Sequence, residues 1–275
     1  MKLYLKTKDY SVSGEKFQLL HNLELDMLVT DPQPENLEKF YQSEDYISHT
    51  DSQETFLDKI YQNVKKHSLK KKLKLIGGQT KENKTLLDVG SGTGDFLLVA
   101  KNSGWKIDGV EPNEKARKRS KEKGVETFSN LNELSSNKYA VITLWHVLEH
   151  LPNLERQITK ISSLLEENGT LIVAVPNYKS FDALYYKNFW AAFDVPRHLW
   201  HFSKESVKAL FQKENMIVTK IRPMVFDSYY VSLLSEKYKT GKQNFIKACF
   251  IGLVSNLKAW RTKEYSSLIY IIKKA

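Results

Sequence analysis

Apolar residues recur along this chain in two rhythms. Ile60, Val64, Leu69, Leu73 and Ile76 stand three to five apart in a lysine-rich stretch, the spacing of one inward helix face. From residue 85 the pattern changes. Short apolar runs at 85–89, 106–110, 125–128, 139–144, 170–175, 216–221 and 265–272 read as strands. Helical spacing fills 96–101, 113–122, 154–165 and 203–213. Asn113 and Ser203 are predicted caps, and Gly77-Gly78, Gly104, Gly124 and Gly169 are predicted stops.

Strands alternating with helices predict an α/β fold with a mainly parallel sheet covered on both faces. Residues 1–84 lie outside that alternation and read as an N-terminal hairpin (about 8–30) and helices (about 34–76), a lid-like extension. Residues 85–275 form the second expected domain, with 177–202 as an insertion after the fifth strand.

Composition narrows the chemistry. The chain has 275 residues, 41% of them hydrophobic, enough to bury a sizeable core. Its single cysteine, Cys249, excludes an intramolecular disulfide and a cysteine-based zinc cluster. No secretory leader is visible and the apolar run 248–257 is short for a membrane span, so a cytoplasmic protein is expected. The formal net charge is +10. The basic stretches at 59–84 and 115–123 do not interleave their lysines with stacking aromatics, Tyr61 being a lone aromatic in the first, and are expected to be solvated helix faces, so nucleic acid is not the expected partner. The run 245–257 is expected as core, with room for a homodimer contact or a peripheral membrane contact.

The most informative segment is Asp88-Val89-Gly90-Ser91-Gly92-Thr93-Gly94, between a predicted strand and a predicted helix. Glycines there let the backbone turn tightly and approach a ligand, and helix-start amides point at polar groups. The spacing is Gly-x-Gly-x-Gly. Asp95 takes the place of the third glycine of a nicotinamide fingerprint, and no P-loop is present. Glu111, at the end of the second strand, can accept both hydroxyls of a ribose, which suits any adenosine-type ligand.

Together with Glu111-Pro112-Asn113 and Trp145-His146-Val147-Leu148-Glu149-His150-Leu151-Pro152, this loop resembles the class I S-adenosylmethionine (SAM)-dependent methyltransferases of the bacterial small-molecule branch. The resemblance covers about residues 84–223. It implies a Rossmann-like seven-stranded sheet whose last strand, near 268–272, is antiparallel. It also implies SAM as cofactor. Gly90, Ser91, Gly92 and Gly94 would cradle its methionine part, and Asp88 would order the loop. Glu111 would take the ribose. Pro112, Asn113, Asn130 and Leu131 would line the adenine, and Trp145 and His146 would close the pocket. Tyr41, Tyr46 and His49 match an N-terminal helix that covers the cofactor in relatives.

Methyl transfer needs an acceptor held for in-line attack, and an oxygen or nitrogen acceptor often needs a base, most often His. His146, His150 and His198 are the candidate catalytic residues, with His201 nearby in sequence. Three readings stay open for His146-x-x-Glu149-His150: acid–base and cofactor-lining, structural, or metal-ligating. Relatives with Glu-x-x-Glu-His there look metal-assisted. His146 stands at the first position here, so no metal is assigned. The insertion 177–202 carries nine aromatic residues, read either as an acceptor pocket or as packed core. Arg197 within it could clamp a carboxylate or phosphate.

The expected function is therefore SAM-dependent methylation of a small molecule: a sugar, a quinone-like compound or a lipid-linked intermediate. A nicotinamide oxidoreductase and a non-catalytic SAM-fold binding module are the alternatives.

Overall fold

The computed structural model describes residues 1–41, 56–80, 82–134 and 137–275, and side chains within these except for residues 38 and 56–64. Ten strands are present among them. β1 (Lys2–Lys8), β2 (Lys16–Asn22) and β3 (Met27–Asp31) precede α1 (Phe56–Gly77). Next come β4 (Thr85–Val89), α2 (Asp95–Asn102), β5 (Lys106–Val110), α3 (Glu114–Glu122), β6 (Tyr139–Trp145), α4 (Leu154–Leu164) and β7 (Leu165–Pro176). The chain ends with α5 (Phe181–Tyr186), β8 (Trp200–His201), α6 (Lys204–Gln212), β9 (Met216–Pro223), α7 (Asp227–Thr240), α8 (Phe245–Thr262) and β10 (Ser267–Lys274).

Six strands form the main sheet in the order β5-β4-β6-β7-β10-β9, with the last strand, β10, antiparallel. This is the expected Rossmann-like α/β class with one strand fewer. The predicted strand at 125–128 shrinks to a single parallel bridge, Val110↔Phe128. Two ladder bonds flank that bridge, Phe128 N to Gly109 O (2.8 Å) and Glu111 N to Phe128 O (2.9 Å). Gly169 does not end a helix, since α4 already stops at Leu164 and Gly169 lies inside β7.

The chain divides into two compact units. One holds residues 44–145, 155–172 and 272–275, including β4, β5 and β6, which pair in parallel with Leu86–Val89 in register against Val141–Leu144. Leu86, Leu87, Val141, Ile142 and Leu144 are fully buried there, because both faces of these strands are covered. The basic helix is not merely a solvated face. Lys65 pairs with Asp95 (2.7 Å), and Lys72 lies over the Trp145 ring (4.5 Å).

The other unit holds residues 1–43, 146–154 and 173–271, a partition that does not follow the sequence division at residue 84. The expected hairpin is a four-stranded antiparallel sheet, β1-β2-β3-β8, whose last strand comes from the aromatic insertion. Leu28 pairs with His201 and Val29 with Trp200. The insertion is largely core. Tyr178, Tyr186, Trp190 and Phe193 are buried among Phe17, Leu19, Leu28 and Phe40.

Periodicity did not predict α7 and α8. In α8 the small residues face inward. A Cβ on Gly252 would meet Tyr229 Cδ1 at 2.7 Å, so glycine is required for the close approach of α7. The expected core run 245–257 instead leaves Ile246, Phe250 and Leu257 exposed. No helix among the described residues is long and apolar enough to cross a membrane.

Candidate functional site

The first candidate site is the turn after β4. Its glycines take the left-handed conformation, with φ of 71° at Gly90, 55° at Gly92 and 77° at Gly94, which a side-chain-bearing residue rarely adopts. A Cβ on Gly94 would strike Ser120 Oγ at 2.3 Å, so this glycine serves close packing on α3. Gly92 is different, with open space where its Cβ would project.

The turn consumes its own amides. Gly90 N and Ser91 N donate to Val110 O (2.7 and 3.1 Å), and Gly94 N donates to Ser91 O (3.1 Å). Gly92 N donates to Glu111 Oε2 (2.8 Å), while Asn113 N donates to Glu111 Oε1 (2.9 Å). The sequence expectation that loop amides point at an anionic ligand is thus corrected for these four. The loop instead presents a carboxylate fixed by two amides, whose remaining lone pairs can accept from a ligand's hydroxyls.

Asp88 is buried and accepts from Thr143 Oγ1 (2.6 Å). Burial pushes its carboxyl up to about 6, against the lowering effects of Thr143 and Lys72. Thr143 and Gly109 belong to this site, although the sequence reading passed over both. A Cβ on Gly109 would meet Leu97 at 2.5 Å and Ser91 Oγ at 2.9 Å. No spacing rule marks either residue; only the register of β5, β4 and β6 does.

The remaining cofactor candidates of this unit have local partners. Arg117 Nη1 donates to the carbonyls of Glu111 (2.8 Å) and Pro112 (2.6 Å), and Asn113 caps α3 by accepting from Ala116 N (3.0 Å). Asn130 accepts from Asn132 N (3.0 Å), and Leu131 is buried. Trp145 packs edge-to-face on Phe96 at 6.0 Å. Its indole N–H and Ser91 Oγ are buried and make no hydrogen bond among the described residues. Open space at Gly92, a poised Glu111 and two orphaned polar atoms fit a small ligand carrying hydroxyls and hydrogen-bonding groups, as SAM does.

The second candidate site gathers the histidines of the other unit. His146 follows β6 with φ of 57°, a left-handed conformation that costs a residue with a Cβ. Its Nε2 lies 3.2 Å from Asp227 Oδ2 and its Nδ1 3.4 Å from Glu149 Oε1. Burial opposes its charge, yet the two carboxylates hold it up to about 10. The two carboxylates thus favour the protonated ring, which disfavours His146 as a general base.

His150 has the opposite character. Burial and the neighbouring His198 push it down to about 4, so it is neutral. Its Nδ1 lies 3.0 Å from the Arg197 carbonyl, which can only accept, so Nδ1 carries the proton and Nε2 the lone pair. Tyr41 Oη is also 3.0 Å from that Nδ1. His198 Nδ1 lies 2.9 Å from the Ala192 carbonyl, which can only accept, so that nitrogen carries a proton. The rings of His150 and His198 meet edge-to-face at 4.5 Å. His201 is bound to Thr30 Oγ1 (3.0 Å) and stays outside this group. Tyr46 and His49 lie outside the described residues.

Arg197 is not a ligand clamp. It is buried, with Nε and Nη2 on Asp194 (3.0 and 2.6 Å), Nη2 on Asp9 (3.0 Å) and Nη1 on the Phe40 carbonyl (3.1 Å). Burial works against the charge on Asp9, but Arg197 and the amides of Ser13 and Ser11 hold that carboxyl well below the usual range.

Comparisons with solved structures bear on the fold. A crystal structure of magnesium protoporphyrin IX methyltransferase from Synechocystis PCC 6803 with bound SAH superposes with a TM-score of 0.56 at 14% identity, covering 86% of this chain and 97% of that one. A SAM-dependent methyltransferase from Archaeoglobus fulgidus gives 0.52 at 19% identity, over 76% and 94% of the two chains. The cyclopropane synthase from Mycobacterium tuberculosis gives 0.52 at 12%, over 74% and 83%. At these identities the likeness is one of fold. No curated protein matches the chain. A family model described as a methyltransferase domain matches residues 61–220, more than half of the chain and inclusive of β4, the glycine loop, Glu111 and the histidines, and the chain belongs to that methyltransferase family.

Proposed function

We propose that this methyltransferase uses SAM and methylates a small molecule through a hydroxyl or amine. The observation that carries the cofactor is the internal use of the loop amides together with the amide-fixed Glu111. A dinucleotide needs free loop amides for its pyrophosphate. A ligand with a ribose and an ammonium needs acceptors, and the loop offers those.

When bound, SAM supplies a methyl group on a sulfonium, open to in-line attack. Gly90, Ser91, Gly92 and Gly94 shape the cradle for its amino-acid part, with Asp88 behind the loop. Glu111 receives the ribose hydroxyls. Pro112, Asn113, Asn130 and Leu131 line the adenine, and Trp145 offers its unpartnered N–H. His146, held by Asp227 and Glu149, orients rather than accepts protons. Glu149, His150 and His198 meet the acceptor's polar group, and Tyr41 is assigned with them on its contact with His150. One cysteine and a metabolite cofactor fit a cytoplasmic enzyme.

Isothermal titration with SAM and then NADH tests this reading. Saturable SAM heat with none from NADH is the expected result, and NADH binding without SAM binding would overturn it. Bound SAM should also raise the melting temperature by mass action.

A further inference from the structure

The Glu149 side chain is 1% exposed, and neither of its oxygens makes a hydrogen bond among the described residues. The His146 ring lies 3.4 Å from Glu149 Oε1, beyond the geometry of a good hydrogen bond. A buried carboxylate left in that condition is costly. One ligand atom each from Glu149, His150 and His198 lies within 4.8 Å of the others. Both imidazoles are anchored through Nδ1 to backbone carbonyls, at 3.0 and 2.9 Å, which keeps each Nε2 outside those bonds; His198 Nε2 lies 4.0 Å from Asp194 Oδ2. Ligating histidines characteristically direct their second ring nitrogen to a carbonyl or carboxylate in this way.

The backbone fixes the group from two sides. Leu199 N donates to Glu149 O (2.8 Å) and His198 N to Asp194 O (3.0 Å). Asp194 in turn holds the Arg197 side chain, and the Arg197 carbonyl anchors His150. The third member of the set is therefore His198, about 50 residues downstream of the position 146 where the sequence pattern would look for it.

We propose that Glu149, His150 and His198 bind one divalent metal ion. Two imidazole nitrogens and one carboxylate suit Zn²⁺, Co²⁺ or Fe²⁺; Mg²⁺ and Ca²⁺ prefer all-oxygen sets. Ligand atoms about 3.3 Å apart fit a tetrahedral ion, so side-chain shifts of about 1 Å or more close the set. His146 is a positioning residue that orients the Glu149 carboxylate. Three protein ligands leave a coordination position open. On the methyltransferase reading above, the acceptor's oxygen or nitrogen takes that position.

The test uses the full chain without a histidine tag, stripped with a chelator and titrated with Co²⁺ while its visible absorption is followed. One ion per chain, displaced by Zn²⁺, is expected. His198→Ala and Glu149→Gln should each weaken binding by at least about 10-fold, and His21→Ala should leave it unchanged. SAM titration of the same preparations separates the two proposals, since metal uptake and cofactor binding are read independently. If a variant does not fold, pulsed EPR of the Cu²⁺-loaded wild type reports the ligands directly, and two imidazole nitrogens are expected. SAM-competent wild type that takes up neither Co²⁺ nor Zn²⁺, unchanged affinity in folded His198→Ala, or a Cu²⁺ spectrum without imidazole overturns the site.

Discussion

Two buried carboxylates, Asp88 behind the glycine loop and Glu149 in the histidine cluster, are treated in opposite ways by their surroundings. Asp88 receives a hydroxyl from Thr143, and the loop beside it has its amides satisfied internally. Glu149 is as deeply buried, makes no hydrogen bond among the described residues and is surrounded by imidazoles. Burial raises Asp88, while the neighbouring His146 ring works against burial and Glu149 is lowered. The difference teaches that one region satisfies its loop amides internally and is shaped for a donor-rich ligand. The other sets a carboxylate, faced on one side by the His146 ring, beside two further imidazoles with which it can take up a metal ion.

The largest effect that sharpens this comparison lies in the scaffold of the histidine cluster. Arg197→Ala leaves Asp9 and Asp194 buried without their guanidinium. Loss of a buried ion-pair partner costs about 3–5 kcal/mol, so the denaturation midpoint should fall steeply. An unchanged midpoint would mean that Arg197 does not support the cluster.

Next in size is the glycine loop. Gly92→Val adds a side chain at φ 55° in open space. It should weaken SAM binding by about 100-fold, or roughly 3 kcal/mol, with little change in circular dichroism. Full affinity in the variant would contradict the loop assignment.

The third prediction concerns pH. The native pKa of Asp88, about 6, lies above its unfolded value, so the native state binds more protons between about pH 4 and 6. Stability should therefore fall as pH rises through that window and then level off, by at most about 3 kcal/mol. Asp88→Asn, which can still accept from Thr143, should flatten the profile and weaken SAM binding. A profile unchanged in Asp88→Asn would assign the slope to other groups. The smallest effect is expected for Tyr41→Phe, which removes one hydroxyl near His150. A loss of about 1 kcal/mol or less should appear in thermal melts, with SAM affinity unchanged. A large loss of SAM affinity would return Tyr41 to the cofactor.

The glycine loop was readable in the sequence because its physics is local. Glycines at fixed spacing and a carboxylate one strand later are marks that chain order preserves. Asn113 and Ser203 were readable as caps for the same reason. The histidine cluster was legible only in part. Positions 150 and 198 were both named as candidates, but 198 comes near 150 through the turn that Asp194 and Arg197 hold, and no spacing encodes that pairing. Arg197 looked like a ligand clamp because the acids that claim it are at positions 9 and 194. The missing strand at 125–128 and the exposed face of α8 have another cause. Apolar runs mark burial propensity, and whether a neighbour covers them is decided by tertiary structure.

The most direct test of the central claim is to incubate the purified chain with methyl-labelled SAM and fractionated small-molecule pools. Label should move into a small molecule in the wild type and not in Gly92→Val. SAM that stays bound while no label moves into any pool would contradict the account and make the chain a SAM-binding module.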